Sequence, residues 1–95
     1  MKISEVTLSL VKQQARVELD NDDALIEKVY MPAALNHLMG YVGMTAEQLD
    51  EREDMALAYL ALCAYMIDNR GVANDDDKIS KVIDSIVNKY SANLV

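Results

Sequence analysis

The side chains of this 95-residue chain that could do chemistry are few, and the most suggestive of them form an acidic run. The four residues from Asp20 to Asp23 read Asp-Asn-Asp-Asp and supply closely spaced carboxylate and amide oxygens, as calcium-binding EF-hand loops do. In such a loop the sixth residue is glycine and the twelfth is glutamate. Counted from Asp20, these positions hold Leu25 and Met31. The run therefore favours helix capping over metal binding.

The other chemical candidates are isolated from one another. His37 is the only histidine, and no cysteine or second histidine lies at a metal-ligand spacing from it. Cys63 is the only cysteine, and its apolar neighbours indicate a buried free thiol. The three glycines are scattered, so there is no glycine-rich phosphate loop. Because no nucleophile–base–acid set stands out, we predict that the chain is not an enzyme and has no metal and no cofactor.

Ser85 is a candidate of another kind. Its context, Asp84-Ser85-Ile86, resembles the prosthetic-group serine of acyl carrier proteins, which are also small, acidic and four-helical. In that family the serine opens a helix mid-chain after a glycine-containing loop. Here the serine lies inside the predicted last helix, which argues against a carrier function.

The charge of the chain limits its partners. Sixteen acidic residues against nine basic ones give a formal charge of −7. This balance disfavours autonomous binding to nucleic-acid phosphates, which needs clustered lysine and arginine, and it favours a partner with a basic patch. Glu5 comes too early for a signal peptide, so we expect synthesis in a reducing, intracellular compartment.

The element that must organise the fold is the stretch Met55–Ile67, which contains no charged residue, no glycine and no proline. It predicts a helix about 20 Å long that is apolar on every side and must therefore be covered on most of its circumference. It is too short to be transmembrane, which takes about 20 apolar residues. A chain of this size buries only about 60 to 65% of its surface on folding, so partner subunits are candidates for part of the cover.

Two helices are predicted before this stretch. Thr7 is the expected N-cap of the first, with Ser4 as a competing cap, and the helix should end near Arg16 or Val17. The second should run from about residue 23 to residue 42. Pro32 lies inside it, so we predict either a kink near residues 28 and 29 or two short helices broken near residues 30 and 31.

The remaining elements follow from cap and breaker residues. Gly40 and Gly43 suit a helix C-cap and turn, and Thr45 with Gln48 fits a capping box that begins either a short turn or the third helix. The central helix should end around residues 68–71, with Gly71 as its left-handed terminator. A second acidic run at residues 74–77 should cap an amphipathic last helix over about 76–90, followed by a flexible tail at 91–95. We therefore predict one all-α domain over residues 1–95, a small bundle of about four helices.

Several short segments follow one another in a fixed order along the chain: Val6-Thr7-Leu8, Val11-Lys12, Arg16-Val17, Asp20 to Ile26, Ala33-Ala34, Tyr41-Val42-Gly43 and Met66 to Arg70. Taken together they resemble the small all-α head–tail connector proteins of long-tailed phages, a family also described as head-completion adaptors or phage DNA-packaging proteins. Members begin with a Val/Ile-Thr-Leu helix start, a lysine, an Arg-aliphatic pair and an Asp-rich turn, and their central helix commonly closes on Asn-Arg. Pro32 and the lack of a Pro/Gly-containing segment near the C-terminus depart from the pattern.

The resemblance implies a structural virion protein at the head–tail junction, made in the bacterial host cytoplasm. Such connectors form a ring, usually of twelve subunits, below the portal protein. They extend the DNA channel and dock the stopper or tail-completion protein, and the DNA passes without sequence-specific binding or any membrane contact. The expected subunit or partner interface comprises residues on and just after the central helix: Met55, Tyr59, Leu62, Tyr65, Met66, Asn69 and Arg70. The alternative is a small acidic helical regulator or inhibitor that binds a basic partner.

Overall fold

A computed structural model describes residues 1–18, 20–70 and 75–90, without the side chains of residues 76 and 90. These residues form a short 3₁₀ turn, Ile3–Glu5, and five helices, with no strand among them. The helices are α1 (Leu8–Ala15), α2 (residues 23–42), α3 (Ala46–Asp50), α4 (Asp54–Asp68) and α5 (Asp76–Tyr90). The predicted all-α fold is confirmed. The predicted terminator Gly71 and the predicted tail at 91–95 lie outside the described residues.

Helix α1 begins and ends where the sequence predicts. The Thr7 hydroxyl oxygen accepts a hydrogen bond from the Leu10 amide at 3.3 Å, which satisfies one of the amides that a helix start leaves without a partner. The helix stops at Arg16, whose φ of 59° places it in the left-handed region. The competing cap, Ser4, is wrong as a helix start, because it lies in the 3₁₀ turn and its amide donates to the Asp50 carboxylate at 2.9 Å.

Helix α2 is a single bent helix, as the position of Pro32 predicts. Its turn Ile26–Tyr30 is a π-helical segment, in which the Met31 amide donates to the carbonyl of Ile26 five residues back. Proline has no amide hydrogen, and its ring would clash with the carbonyl of Lys28 in a regular helix, so a widened turn accommodates it. The kink predicted near residues 28 and 29 is thereby confirmed, and the alternative of two separate helices is wrong.

Of the two glycines predicted to form the C-cap and turn after α2, only Gly43 ends the helix. Gly43 has a φ of 69° and its amide donates to the Met39 carbonyl at 2.9 Å, which forms the left-handed cap. Gly40 lies within the helix. After the cap, the predicted capping box is present: the Gln48 amide donates to the Thr45 hydroxyl at 3.2 Å, and the Thr45 amide donates to the Gln48 side chain at 2.9 Å. This box begins α3, a helix of its own before α4.

Helix α4 lies at the centre of the fold and contacts α1, α2, α3, α5 and the 3₁₀ turn. Nine of its fifteen side chains are buried: Met55, Ala56, Ala58, Tyr59, Leu60, Leu62, Cys63, Met66 and Ile67. The Tyr59 hydroxyl donates to the carbonyl of Met31 in α2 at 3.2 Å, so the one polar atom of this large buried ring has a partner. The chain itself therefore covers most of the apolar helix.

Helix α5 closes the bundle against α4 and α2. Its buried positions Ile79, Ile83 and Val87 repeat every four residues, as the predicted amphipathic pattern requires. The Asp75 carboxylate accepts the Lys78 amide at 3.1 Å, which confirms an acidic cap at its start. A side-chain hydrogen bond also joins α5 to α2: the Tyr41 hydroxyl donates to the Asp84 carboxylate, with 2.5 Å between the two oxygens.

Candidate functional site

The predicted interface residues fall into two groups in the fold. Four of them are packed inside the chain: Met55, Tyr59, Leu62 and Met66. The other three are at the surface near the end of α4: Tyr65 is half-buried, and Asn69 and Arg70 are exposed. The surface group is the part of the predicted interface that another molecule could contact without rearrangement of the core. Its role in binding remains a prediction.

Asn69 and Arg70, the two exposed members of that group, already make hydrogen bonds within the chain. The Asn69 side-chain amide donates to the Tyr65 carbonyl at 3.0 Å, so it satisfies one of the last carbonyls of α4. The Arg70 guanidinium donates to the Asp22 carboxylate at 2.6 Å and lies 5.9 Å from the centroid of the Tyr30 ring. The carboxylate, more than the ring, raises the pKa of Arg70.

The acidic run before α2 acts mainly through ion pairs. Asp22 stands at the cap position of α2 without a side-chain cap hydrogen bond, because its carboxylate binds Arg70. On the other side of the turn, the Lys12 ammonium lies 2.6 Å from the Asp20 carboxylate and 2.7 Å from that of Asp23. Hydrogen bonding to Lys12 lowers the pKa of Asp20, and the two carboxylates raise the pKa of Lys12. The predicted capping role is therefore wrong for the Asp22 side chain, and these partners were not predicted.

An open hollow of about 290 Å³ lies beside Lys12, between α1 and the segment that leads to α2. Its lining mixes apolar and polar side chains: Leu8, Ser9, Lys12, Gln13, Val17, Glu18 and Asp23. The Lys12 side chain is only 13% exposed there and is held by two carboxylates. Its charge is thus neutralised inside the chain, which makes the hollow a poor anion site.

Neither Cys63 nor Ser85, two of the side chains considered for chemistry, lies in a setting that suits it. Cys63 is fully buried, and burial raises the pKa of its thiol to about 12. Its neighbour Tyr59 is also buried, and its pKa is raised mainly by the loss of solvent. Ser85 is exposed but lies in the middle of α5 rather than at a helix start. Within the described residues, no group of three or more His, Cys, Asp or Glu side chains could hold a metal ion.

One row of apolar side chains along α4 is left partly or fully exposed to solvent. We call it the α4 stripe, made of Leu57, Ala61, Ala64 and Tyr65, which are the apolar side chains of this helix that are not buried. Leu57 is 52% exposed, the largest value among the exposed large hydrophobic residues of the described chain. An apolar helix leaves such a line open when its neighbours cover the rest of its circumference.

An open groove of about 390 Å³ runs between the α4 stripe and α5. Ala61 and Tyr65 line one wall, and α5 supplies the other wall with half-buried Val82 and Ile86 and exposed Ser85 and Lys89. Together with the exposed Leu57, the groove gives this side of the described chain an apolar surface, and we treat it as a candidate interaction surface.

None of the described helices is long and apolar enough to cross a membrane. Comparisons of the chain with protein-family models, with curated proteins and with solved structures found no match.

Proposed function

We propose that this chain is a structural head–tail connector of a phage or prophage. It assembles as a ring below the portal protein, extends the DNA channel, and docks the stopper or tail-completion protein on its far side. The site of action is the head–tail junction of the virion. The protein carries out no reaction in this role and needs no cofactor, since binding surfaces alone do the work.

The observation that carries the proposal is the contact between Asp22 and Arg70. These residues belong to two separate segments of the connector-like pattern, the Asp-rich turn and the Asn-Arg pair that closes the central helix. In the fold their side chains meet at 2.6 Å although 48 positions separate them. Two features of the pattern that are distant in sequence thus have a common structural purpose, which supports treating the pattern as one unit.

Other parts of the pattern also take positions that determine the fold. Thr7 caps α1, Arg16 ends it in the left-handed conformation, and Gly43 ends α2. Cap and terminator residues fix where each helix begins and ends, so their order along the chain encodes the bundle. These residues therefore have structural roles in this chain, while the relation to the connectors, in fold and in function, is inferred from the sequence resemblance alone.

The surface of the chain suits a channel protein. Its charge of −7 opposes tight binding of DNA phosphate, and an acidic channel lining would repel the genome and let it slide. The end of α4 offers Tyr65, Asn69 and Arg70 for contacts to a neighbouring subunit or to the portal.

The test is binding to a portal ring. Native mass spectrometry of the protein mixed with the portal protein of the same phage genome should show the portal with a ring of added copies, twelve being the expected number. The protein mixed with an unrelated portal serves as the control. A protein that stays monomeric and ignores its own portal would contradict the proposal.

A small acidic regulator remains the second candidate, and one surface favours it. The corner formed by α3 and the start of α4 exposes Glu47, Glu51 and Glu53, which could bind a basic partner. Gene neighbourhood separates the two functions. Flanking portal, protease and capsid genes favour the connector, and their absence favours the regulator.

A further inference from the structure

Helix α2 leaves an uncharged face open to solvent. From Val29 to Ala46 the sequence contains no Asp, Glu, Lys or Arg, although these residue types make up 26% of the chain. Val29 is 48% exposed. Four exposed residues follow this part of the helix at helical spacing, and we call them the α2 face: Val29, Pro32, Asn36 and Gly40. Since the core of a protein interface is depleted in charged residues, the α2 face is a candidate contact surface.

Gly40 gives this face an unfilled position. A glycine inside a helix lowers the stability of the helix relative to alanine. The backbone does not require it here, because its φ is not positive. Packing does not require it either: apart from its sequence neighbours and its own helix backbone, no atom of the described chain lies within 4 Å of where a Cβ would stand. The position is therefore open to a side chain of another molecule.

The α2 face and the α4 stripe lie on opposite sides of the chain. Helix α2 packs on α4 and α5, and its buried Leu38 is about 200° around the helix from Asn36. On α4, the Tyr59 hydroxyl donates to the carbonyl of Met31 in α2, and Leu57 is again about 200° around the helix from Tyr59. Because α2 covers the side of α4 that lies opposite the stripe, the two exposed surfaces point away from each other.

We propose that the α2 face of one copy of this chain binds the α4 stripe and its groove on the next copy, so that copies join in series. The exposed Leu57 of the stripe packs over the open position at Gly40. Eight positions, or about 12 Å of helix, separate Gly40 from Pro32, and the same number separates Leu57 from Tyr65. With the two helices antiparallel, the Tyr65 ring therefore lies against Pro32.

A second copy is the partner that this pair of surfaces fits. An uncharged face gains little from a basic or an acidic partner, and it is covered best by another uncharged apolar surface. The chain carries such a surface on its other side, the α4 stripe. Binding one to the other covers both surfaces of every inner copy, whereas pairing like surfaces leaves one surface of each copy open.

The charges beside the stripe do not select the partner. Both signs occur at the start of each helix that forms the groove. Arg52 pairs with Asp54 at the start of α4, with 3.2 Å between guanidinium and carboxylate, and Lys78 follows Asp75 and Asp77 at the start of α5. The inference therefore rests on the two uncharged surfaces and their placement.

The size of the contact sets its expected strength. One helix face against a groove buries roughly 400 Å² on each copy, which is typical of weak complexes. A single contact should therefore have micromolar or weaker affinity. Because each series has a free surface at both ends, association does not stop at two copies unless the series closes on itself. In a closed ring every copy is held on both sides, and identifying that ring with the one below the portal rests on the proposed function.

The test uses two variants that each block one surface. Asn36→Arg places a charge in the α2 face, and Leu57→Arg places one in the α4 stripe. Each variant alone should associate at least about tenfold more weakly than the wild type in sedimentation velocity, because every contact needs both surfaces. An equal mixture should form pairs with one copy of each variant, since the intact stripe of the first binds the intact α2 face of the second. The pairs should not grow, because both outer surfaces are blocked.

The other outcomes overturn the inference. If Asn36→Arg alone pairs as the wild type does, the stripe binds another stripe. If Leu57→Arg alone does so, the α2 face binds another α2 face. A mixture that forms no mixed pair also overturns the inference, and so does a wild type that stays a single copy up to about 1 mM.

Controls separate these results from misfolding and from a general charge effect. Gln14→Arg adds the same charge at an exposed position of α1, outside both surfaces, and should leave association unchanged. Circular dichroism should show all three arginine variants folded with a cooperative melt, since all three positions are exposed. Gly40→Ala should raise the melting temperature, because alanine favours the helix, and yet weaken association, because its methyl group takes the place of Leu57. A stabilised Gly40→Ala that associates as the wild type does overturns the inference.

The portal mixture distinguishes a failure of this inference from a failure of the connector proposal. If both blocked variants still form a full ring on the portal, the connector proposal stands and the contact proposed between copies is wrong. If the wild type forms the series and the variants behave as expected but no portal is bound, the contact stands and the connector proposal is wrong.

Discussion

Arg70 and Asp22 join the end of the central helix to the turn that begins α2, with 2.6 Å between guanidinium and carboxylate. The two side chains are about equally exposed, 44% and 41%. Solvent screens such a pair, so its energy is small, and its structural effect is to link the end of α4 to the turn that begins α2. The nearby Tyr30 ring gives the guanidinium a second surface to lie against.

The first prediction concerns this contact. Arg70→Ala should lower the melting temperature only slightly at low salt, and the difference from the wild type should shrink at high salt. Arg70→Lys keeps the charge but loses the planar group over Tyr30, so it should recover part of the loss. Thermal melts followed by circular dichroism measure this. A double-mutant cycle with Asp22→Asn should show coupling, and strictly additive effects would mean that the pair does not form in solution.

The second prediction compares two leucines of α4. Leu62 is 1% exposed and Leu57 is 52% exposed. Leu62→Ala should lower the free energy of unfolding by about 2 to 5 kcal/mol, because it leaves a cavity in the core. Leu57→Ala, the matched control on the same helix, should change it by less than about 0.5 kcal/mol. Urea unfolding at low protein concentration measures both. Equal losses would show that α4 is oriented differently in the bundle.

The two leucines also show what the sequence could not predict. The limits of α4 and α5 follow from composition and periodicity, and the caps at Thr7 and Thr45 follow from local hydrogen-bonding chemistry. When a helix is apolar on every side, its residue pattern does not indicate which side will be buried and which will stay exposed. Which line of α4 stays open depends on where α1, α2 and α5 pack, so the predicted interface could not separate Tyr65 from the buried Met66.

The ion pairs of the acidic run could not be predicted from the sequence, for a related reason. Local rules correctly place Asp22 at a helix cap position, but its carboxylate is taken by Arg70 at a distance of 48 positions. Lys12 likewise binds Asp20 and Asp23 only because α1 and α2 meet there. Such partners depend on the tertiary fold, and a capping preference worth about 1 kcal/mol does not determine them.

The third prediction concerns Cys63. Its thiol has a pKa near 12 in the fold and near 9 when exposed, so it stays protonated at neutral pH. It should therefore resist a thiol reagent such as dithionitrobenzoate in the native protein and react promptly in 6 M guanidinium chloride. The reaction rate in increasing denaturant should follow the unfolding transition. Rapid reaction of the native protein at pH 8 would place the thiol at the surface.

The same thiol predicts a loss of stability in alkali. Above pH 9 the unfolded chain releases the thiol proton while the fold retains it, so the unfolded state binds fewer protons and the free energy of unfolding falls. A shift from 9 to about 12 corresponds to about 4 kcal/mol lost across that range. Urea midpoints of Cys63→Ala should fall less between pH 8 and pH 11 than those of the wild type. The remaining loss should come from Tyr59, whose pKa burial raises, and from Tyr41 and Lys12, whose pKa values are raised by hydrogen bonds to carboxylates. An identical fall in both proteins would contradict the assignment.

The last prediction concerns the acid limb and Asp50. Hydrogen bonding from the Ser4 side chain, and then from the Ser4 amide at 2.9 Å, lowers the pKa of Asp50, as Lys12 lowers that of Asp20. A lowered folded-state pKa contributes stability above the unfolded value of about 4, and that stability is lost as the pH falls through the folded value. Asp50→Asn should therefore be less stable than the wild type at pH 6, and the difference should shrink towards pH 2. Glu47→Gln removes a charge from the same helix without this contact and is the matched control. If both variants flatten the acid limb equally, the effect belongs to the net charge of α3 rather than to the bond that holds the 3₁₀ turn against it.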